Sequence, residues 1–204
     1  MKDRDVRESL YTHLLTQHAS VLDHTQFVDE LDLCGRVRVD VAVLNGELSG
    51  YELKSERDTL ERLPLQITVY SSVLDRASIV VAEKHLVRAR EAVPPWWGVL
   101  IAEAAQRGVR IWCERAALTN PAPDPCALVQ LLWRDEVLVE LHARGLDRGV
   151  RGAPRARLWS QLTGAVSTNE LRAIVRERLK ARQGWRVARP LVASDVLLQS
   201  AATS

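Results

Sequence analysis

From Val37 to Leu44 valine occupies every second position, with Arg38, Asp40, Ala42 and Leu44 between. Side chains alternate across the two faces of a strand, so this period reads as β-structure. Asn45-Gly46 follows as a turn signal, and Glu47 to Ser55 reads as a second strand, which together predict a hairpin. Its register decides where the polar residues go. A two-residue Asn-Gly loop pairs Leu44 with Glu47, sets Asp40 opposite Tyr51, and puts the valines on the side of Glu52 and Lys54. A three-residue loop, Leu44-Asn45-Gly46 with Gly46 left-handed, pairs Val43 with Glu47 instead. Val37, Val39, Val41, Tyr51 and Leu53 then share one face, and Asp40, Glu52 and Lys54 share the other. A slip of one residue moves every side chain across the sheet, so burial selects the three-residue loop.

Before the hairpin, residues 4–18 read as a helix with Val6, Leu10, His13/Leu14 and Gln17 on one face and Asp3 or Asp5 near its start. Phe27 to Leu33 reads as a short strand carrying Glu30. After the hairpin, Asp58 to Arg62 form a short helical turn. Pro64 fits the first position of a helix, where its missing N–H is no loss, and that helix runs to about Ala77. Ser78 to Ala82 is a continuous apolar run, as in a strand buried on both faces. His85 to Ala92 reads as helix, stopped by Pro94-Pro95. Trp97 to Ala102 and Val109 to Cys113 read as strands, with a helical or looped stretch and Gly108 between them.

From Asn120 the composition changes. A proline-rich linker leads into helices: one capped by Asp124-Pro125 and ended by Gly145, one opened by Pro154 and closed by Gly164, and one with a Ser167/Glu170 capping box closed by Gly184. Past Pro190 the chain is small and polar and reads as a disordered tail. The expected organisation is a core over 1–118, a basic helical extension over 119–186 and a tail over 187–204. No internal repeat is visible.

With 204 residues, 47% hydrophobic and 26% charged, the chain can bury an ordinary core. No apolar run approaches the ~20 residues of a membrane span. The charged start offers no secretory signal, so a cytoplasmic location is expected. Its three scattered cysteines read as reduced and structural, and its five histidines lack the pairing a zinc site needs. The net charge of +2 hides an asymmetry: between Arg144 and Arg189 stand twelve basic residues against three acidic ones. Either a polyanion partner or a solvated set of arginine-rich helix faces accounts for this.

Asp40, Glu52 and Lys54 are the residue types that phosphodiester hydrolysis uses. A divalent cation offsets phosphate charge and activates water, and magnesium takes oxygen ligands with only one or two carboxylates from the protein. Asp40 and Glu52 supply those, with the backbone carbonyl of Leu53. Lys54, two residues past Glu52, lies on the same face, suited to orienting or deprotonating water or to stabilising a pentavalent transition state. Taken alone, the same spacing also describes a solvated hairpin face with ordinary ion pairs. Gln66 and Tyr70, four apart on the next helix, project from one side.

The segment from Arg36 to Leu86 resembles the PD-(D/E)XK nuclease superfamily, in particular a group of small bacterial proteins with R-x-D-x-A-x-x-x-G-x-L-x-G-Y-E-x-K-S followed by D-T-L-x-R-L-P-x-Q-x-x-x-Y. The likeness extends over most of the chain. It implies a restriction-endonuclease-like αβββαβ core, a mixed sheet flanked by helices, with a helical C-terminal extension. It further implies metal binding by Asp40 and Glu52, catalysis by Lys54, and a RecB-like Gln-x-x-x-Tyr element at Gln66 and Tyr70 that supports the site and contacts nucleic acid. An upstream acid common in the superfamily falls on Glu8 or Glu30, with Glu30 preferred because it immediately precedes the hairpin. The proline that names the motif is Val39 here.

The implied activity is a Mg2+- or Mn2+-dependent deoxyribonuclease, with DNA as partner and no membrane. A homodimer or a protein partner stays open. The competing readings are a catalytically silent nucleic-acid-binding or interaction module on the same fold, and a DNA-binding regulator using the C-terminal helices. In the last, the final two helices form a helix-turn-helix carrying Thr168, Asn169, Arg172 and Arg176. Arg57 and Arg62 flank the site segment as phosphate contacts. Asp75 and Arg76 read as surface or helix-end residues rather than ligands, His85 as a surface residue in preference to one at the active-site edge, Ser55 as a cap of the following turn, and Trp96-Trp97 as packing.

Overall fold

The computed structural model describes residues 2–106 and 108–182. The helix stop expected at Gly184 and the tail from 187 lie outside the described residues. In chain order come helix α1 (Asp3–Gln17), strands β1 (Gln26–Leu33), β2 (Val37–Leu44) and β3 (Leu48–Lys54), helix α2 (Leu63–Val73), strand β4 (Arg76–Ala82) and helix α3 (Leu86–Ala92). Strands β5 (Gly98–Ala104) and β6 (Val109–Arg115) follow, then helices α4 (Pro125–Leu128), α5 (Arg134–Ala143), α6 (Arg155–Ala165) and α7 (Thr168–Ala181). All six strands form one sheet in sequence order. β1, β2 and β3 pair antiparallel, β3, β4 and β5 pair parallel, and β6 returns antiparallel. Parallel neighbours need a crossover, and α2 and α3 supply the two. The architecture is the mixed αβββαβ sheet with C-terminal helices that the sequence implies.

A core fills each face of the sheet. On one, Leu44, Leu48, Ile79 and Val81 meet Val69, Tyr70 and Val73 of α2 and Leu128, Leu158, Leu171 and Val175 of the C-terminal helices. On the other, Val41, Val43, Tyr51, Leu53 and Val80 meet Val6, Leu10 and Leu14 of α1. Val80 and Val81, neighbours in β4, enter opposite cores, which is why that strand is apolar without alternation.

The hairpin register differs from expectation in one respect. Leu44 pairs with Leu48 and Val43 with Ser49, so the three-residue loop is Asn45-Gly46-Glu47, not Leu44-Asn45-Gly46. Gly46, at φ 100°, takes the conformation that admits glycine. The two loops differ by two residues in pairing, which preserves which side chains share a face. A second difference is the face of the valines. Val37 and Val39 enter the α2-side core, whereas Val41 and Val43 enter the α1-side core. β1 changes sides at the same level: Phe27 lies with α1, Leu31 and Leu33 with α2. Glu30, at φ 52°, sits at that crossing. A left-handed residue turns the local pleat over, so the strict period fails there.

Several boundaries also shift. α2 ends at Val73, and β4 begins at Arg76 rather than Ser78 because Leu74 is already extended and Asp75 N–H bonds Leu48 O at 2.9 Å. β5 and β6 pair as an antiparallel hairpin up to Ala104 and Val109, which agrees with the looped alternative for the stretch between them. The helix expected from Asp124 to Gly145 is broken: Asp124 caps α4, its side chain accepting from Cys126 N–H, but Leu132 and Trp133 are extended before α5 starts. Leu128, Val129, Leu131 and Leu132 are all buried, a run that no one-sided helix places. Ser167 Oγ accepts from Glu170 N–H at 3.2 Å, while the Glu170 carboxylate turns to Arg144 at 2.7 Å. Trp97 is fully buried as packing, and His85, expected at the surface, is buried too, as the last residue of the turn Glu83–His85 that follows β4.

Asp75 is the main correction outside the hairpin. Rather than a surface residue, it is 2% exposed, accepting Leu48 N–H at 2.7 Å and pairing with Arg172 at 2.5 Å and Arg176 at 3.2 Å. It fastens α7 to the sheet. Arg76 pairs with Glu47 at 2.5 Å. Removing Asp75 leaves two guanidinium groups with little solvent and no counter-charge. Asp75→Ala should lower unfolding stability by about 3 kcal/mol, measured by urea denaturation, with Asp75→Asn losing less because it retains an acceptor for Leu48. An unchanged midpoint in Asp75→Ala contradicts this role.

Candidate functional site

β3 alternates cleanly. Tyr51 and Leu53 point into the α1-side core, so Glu52 and Lys54 point to the face covered by α2. Glu52 is only 2% exposed. A carboxylate taken out of water needs donors, and it finds three. Gln66 Nε2 and the Tyr70 hydroxyl donate to its two oxygens, and Lys54 Nζ lies 2.8 Å from Oε1. Gln66 and Tyr70 reach it together because they are one helical turn apart on α2. Tyr70 is fixed in turn by stacking on Trp97, with ring centroids 5.6 Å apart. Burial, then Glu52, pushes the Tyr70 hydroxyl well above its ordinary pKa, so it remains a donor.

Asp40 faces Glu52 by register, but the β2–β3 ladder stops one residue short, at Val41 and Tyr51. In its place the Asp40 carboxylate enters the gap, accepting Leu53 N–H on Oδ2 at 2.8 Å. In an extended strand the N–H and C=O of one residue leave on the same edge, so the Leu53 carbonyl is turned the same way. Burial, then the charge of Glu52, pushes the Asp40 carboxyl up to about 7, against opposing help from Leu53 N–H and Arg7.

Asp40, Glu52, Leu53, Lys54 and Gln66 line one open cavity of about 410 Å³, with Glu30 and Arg62 on its wall. Arg62 is exposed, Arg57 is exposed outside that lining, and Ser55 bonds Asp58, its hydroxyl 2.5 Å from Oδ2. Glu8 is elsewhere, paired with Arg4 at 2.8 Å. Sequence reasoning missed Arg7. Its guanidinium donates to Asp29 at 3.0 Å and to the Asp40 carbonyl at 2.7 Å, and lies 3.3 Å from Glu30. Tyr11, four residues on, donates to the same Asp29 at 2.7 Å. The i,i+4 spacing of Arg7 and Tyr11 beside the apolar face of α1 is the signal that marks them.

Arg172 and Arg176 do not face outwards for nucleic acid; the buried carboxylate of Asp75 draws both inward. Most arginines of the basic end are similarly engaged, with Arg178 on Glu140, Arg151 on Asp147 and Arg182 on Glu136. Acids upstream of Arg144 supply much of this pairing, which a count confined to the C-terminal segment does not register.

Donor chemistry at the cavity fits a hard divalent cation. Among the described residues no group of three or more His, Cys, Asp or Glu is placed to hold a metal. Magnesium, however, uses only one or two carboxylates, and Asp40 and Glu52 supply two. Three of the roughly four lone-pair positions of the Glu52 carboxylate are taken, leaving one. Gln66 Oε1 is buried without a hydrogen-bond partner among the described residues. Its amide orientation is fixed by donation to Glu52, so this oxygen is an acceptor turned away from Glu52.

An α/β sheet protein with two carboxylates and a lysine meeting on one hairpin is the class these features define. The profile of the bacteriophage P4 protein cII family matches residues 1–189, and the chain belongs to that family. Protein cII of Enterobacteria phage P4 is 33% identical over 73 residues, which is 36% of this chain and 28% of that protein. The alignment therefore spans less than a third of that relative. A solved structure, the SPO1766 protein of unknown function from Silicibacter pomeroyi, is similar with a TM-score of 0.45 and 21% identity over 82% of this chain and 95% of that one. No helix among the described residues is long and apolar enough to cross a membrane.

Asp40 binds its proton more tightly folded than unfolded. Its contribution to stability is therefore complete below the ordinary value of 3.8 and is lost as pH rises through about 7. In metal-free buffer the wild-type Tm should fall between pH 5 and pH 8 by more than that of Asp40→Asn, and Mg2+ should raise the wild-type Tm at pH 8 but hardly at pH 5. Parallel pH profiles for the two proteins contradict the assignment.

Proposed function

We propose that the chain is a metal-dependent nuclease that hydrolyses phosphodiester bonds, with DNA as substrate, built on the PD-(D/E)XK pattern. The observation carrying this reading is the meeting of Asp40, Glu52 and Lys54 in one open cavity, with Glu52 held by Gln66 and Tyr70. A Mg2+ or Mn2+ ion held by Asp40, Glu52 and the Leu53 carbonyl supplies charge neutralisation and an activated water. Lys54 brings a positive charge to the reacting phosphate, where it orients the attacking water and stabilises the pentavalent transition state. Gln66 and Tyr70 position the Glu52 carboxylate, and Arg7 positions Asp40 by gripping its carbonyl. Arg62, exposed on the cavity wall, is placed to contact a phosphate.

A second reading has its own support: a nucleic-acid-binding or interaction module whose site does not turn over. Lys54 already pairs with Glu52, and burial together with the charge of Glu52 pushes the Asp40 carboxyl up to about 7, so neither acid stands free for a cation. The family that the chain belongs to takes its description from a phage protein and names no reaction. A regulator acting through the C-terminal helices fits the same membership, provided it uses the exposed Arg148, Arg155 and Arg157 rather than Arg172 and Arg176.

Incubation with single-stranded, duplex, branched and RNA substrates in Mg2+ and Mn2+ separates the readings. The nuclease reading predicts cleavage of at least one DNA substrate by the wild type. It also predicts a loss of 10²-fold or more in Lys54→Ala and in Glu52→Gln, on the order expected for such groups, with binding retained. Binding without cleavage in every metal selects the silent module.

A further inference from the structure

A second groove, of about 560 Å³, adjoins the site cavity and shares Glu30, Asp32 and Gly35 with it at the β1–β2 turn. Its far wall comes from the C-terminal helices and carries two tryptophans, Trp133 and Trp159. Trp133 opens α5 and is 55% exposed, unusual for the largest apolar side chain. The Arg182 guanidinium lies 4.2 Å from the centroid of its ring, and Arg182 is itself anchored on Glu136 at 2.7 Å. This pairing seats the guanidinium over one face of the indole, and the side chain stays more than half exposed. The Trp159 indole N–H has no acceptor among the described residues. Arg155, also on the wall, is exposed and has no ion pair among the described residues.

We infer that this groove is a base-stacking subsite for single-stranded nucleic acid, which reaches it from the site cavity across the β1–β2 turn. The inference rests on the proposed function only for the polynucleotide that occupies the cavity. Three features point to an unpaired strand. An exposed indole presents a π-face, which every base can stack upon and which a base paired within a duplex does not offer up. Arg155 supplies a charge for the backbone, and Arg38, exposed beside the cavity, supplies another. The groove also continues the cavity, so one strand occupies both. The acids shared by the two cavities, Glu30 and Asp32, make the passage unfavourable for phosphate at close range and favour bases turned inward there.

The test measures binding of the full chain, in EDTA so that nothing is cleaved, to a fluorescein-labelled oligothymidylate of about 12 nucleotides and to an abasic strand of the same length. Trp133→Ala should weaken oligothymidylate binding about tenfold and leave the abasic strand unchanged, and Trp133→Phe should restore most of the loss. Arg155→Ala should lower the salt dependence for both strands by about one phosphate contact. Wild-type affinity in Trp133→Ala, or equal losses on the two strands, overturns the subsite. Adding Mg2+ or Mn2+ separates the two ideas. A stacking signature with no hydrolysis of single-stranded, duplex or branched DNA in either metal leaves the groove standing and removes the nuclease reading. Hydrolysis of oligothymidylate at wild-type efficiency by Trp133→Ala, with no stacking signature, removes the groove alone.

Discussion

The Glu52 carboxylate, withdrawn from water at the middle of the sheet, is the constraint around which the rest is arranged. A charge in that position is costly unless hydrogen-bonded, and its three donors come from the neighbouring residue on β3 and from one turn of α2. α2 is held in turn against the sheet by Tyr70 stacking on Trp97 and by the Asn120 side chain, which donates to Ser71 O and Leu74 O at 2.8 Å each. Satisfying one buried acid therefore fixes the helix, the turn that follows it and the entry to β4. It also sets the opposite wall of the cavity, because the β2–β3 ladder has to end where the Asp40 carboxylate takes the place of a backbone acceptor.

The sequence carries much of this in its periods. Valine alternation and the turn dipeptide predict the hairpin, and the requirement that valines be buried predicts an odd loop. The observed loop is displaced by one residue along the chain, which keeps Asp40 and Glu52 on one face, because face depends on parity, and brings them directly opposite each other, where the expected pairing set Asp40 against Gly50. The crossing at Glu30 is not legible. Its left-handed backbone coincides with ion pairs of its side chain to Arg7 of α1, distant in sequence, and to Arg38 of β2, and such a residue stores strain that the surroundings must offset. Local pattern also misplaces Asp75, since a carboxylate after a helix resembles a surface residue until α7, nearly a hundred residues on, is laid over it.

Charge counting fails at the C-terminal end for the same reason. The segment is basic by composition, but Asp75, Glu136 and Glu140 meet it from earlier in the chain. Its arginines chiefly bind the helices to one another and to the sheet. Among the described residues Arg148, Arg155 and Arg157 are left facing solvent without an ion pair, and Arg155 stands beside the exposed Trp133 through the packing of α5 and α6 rather than through any sequence motif.

On the proposed reading, the open site already carries its own counter-charge: Lys54 pairs with Glu52, and the Asp40 carboxyl is pushed up to about 7. A cation held by Asp40 and Glu52 would take the place of that ammonium and compete with the Asp40 proton. The most direct measurement is an anomalous difference map from a crystal soaked in Mn2+ above pH 8. The account predicts one peak in contact with carboxylate oxygens of both Asp40 and Glu52, with Lys54 Nζ moved off Glu52. A map without that peak, and with Lys54 still on Glu52, contradicts it.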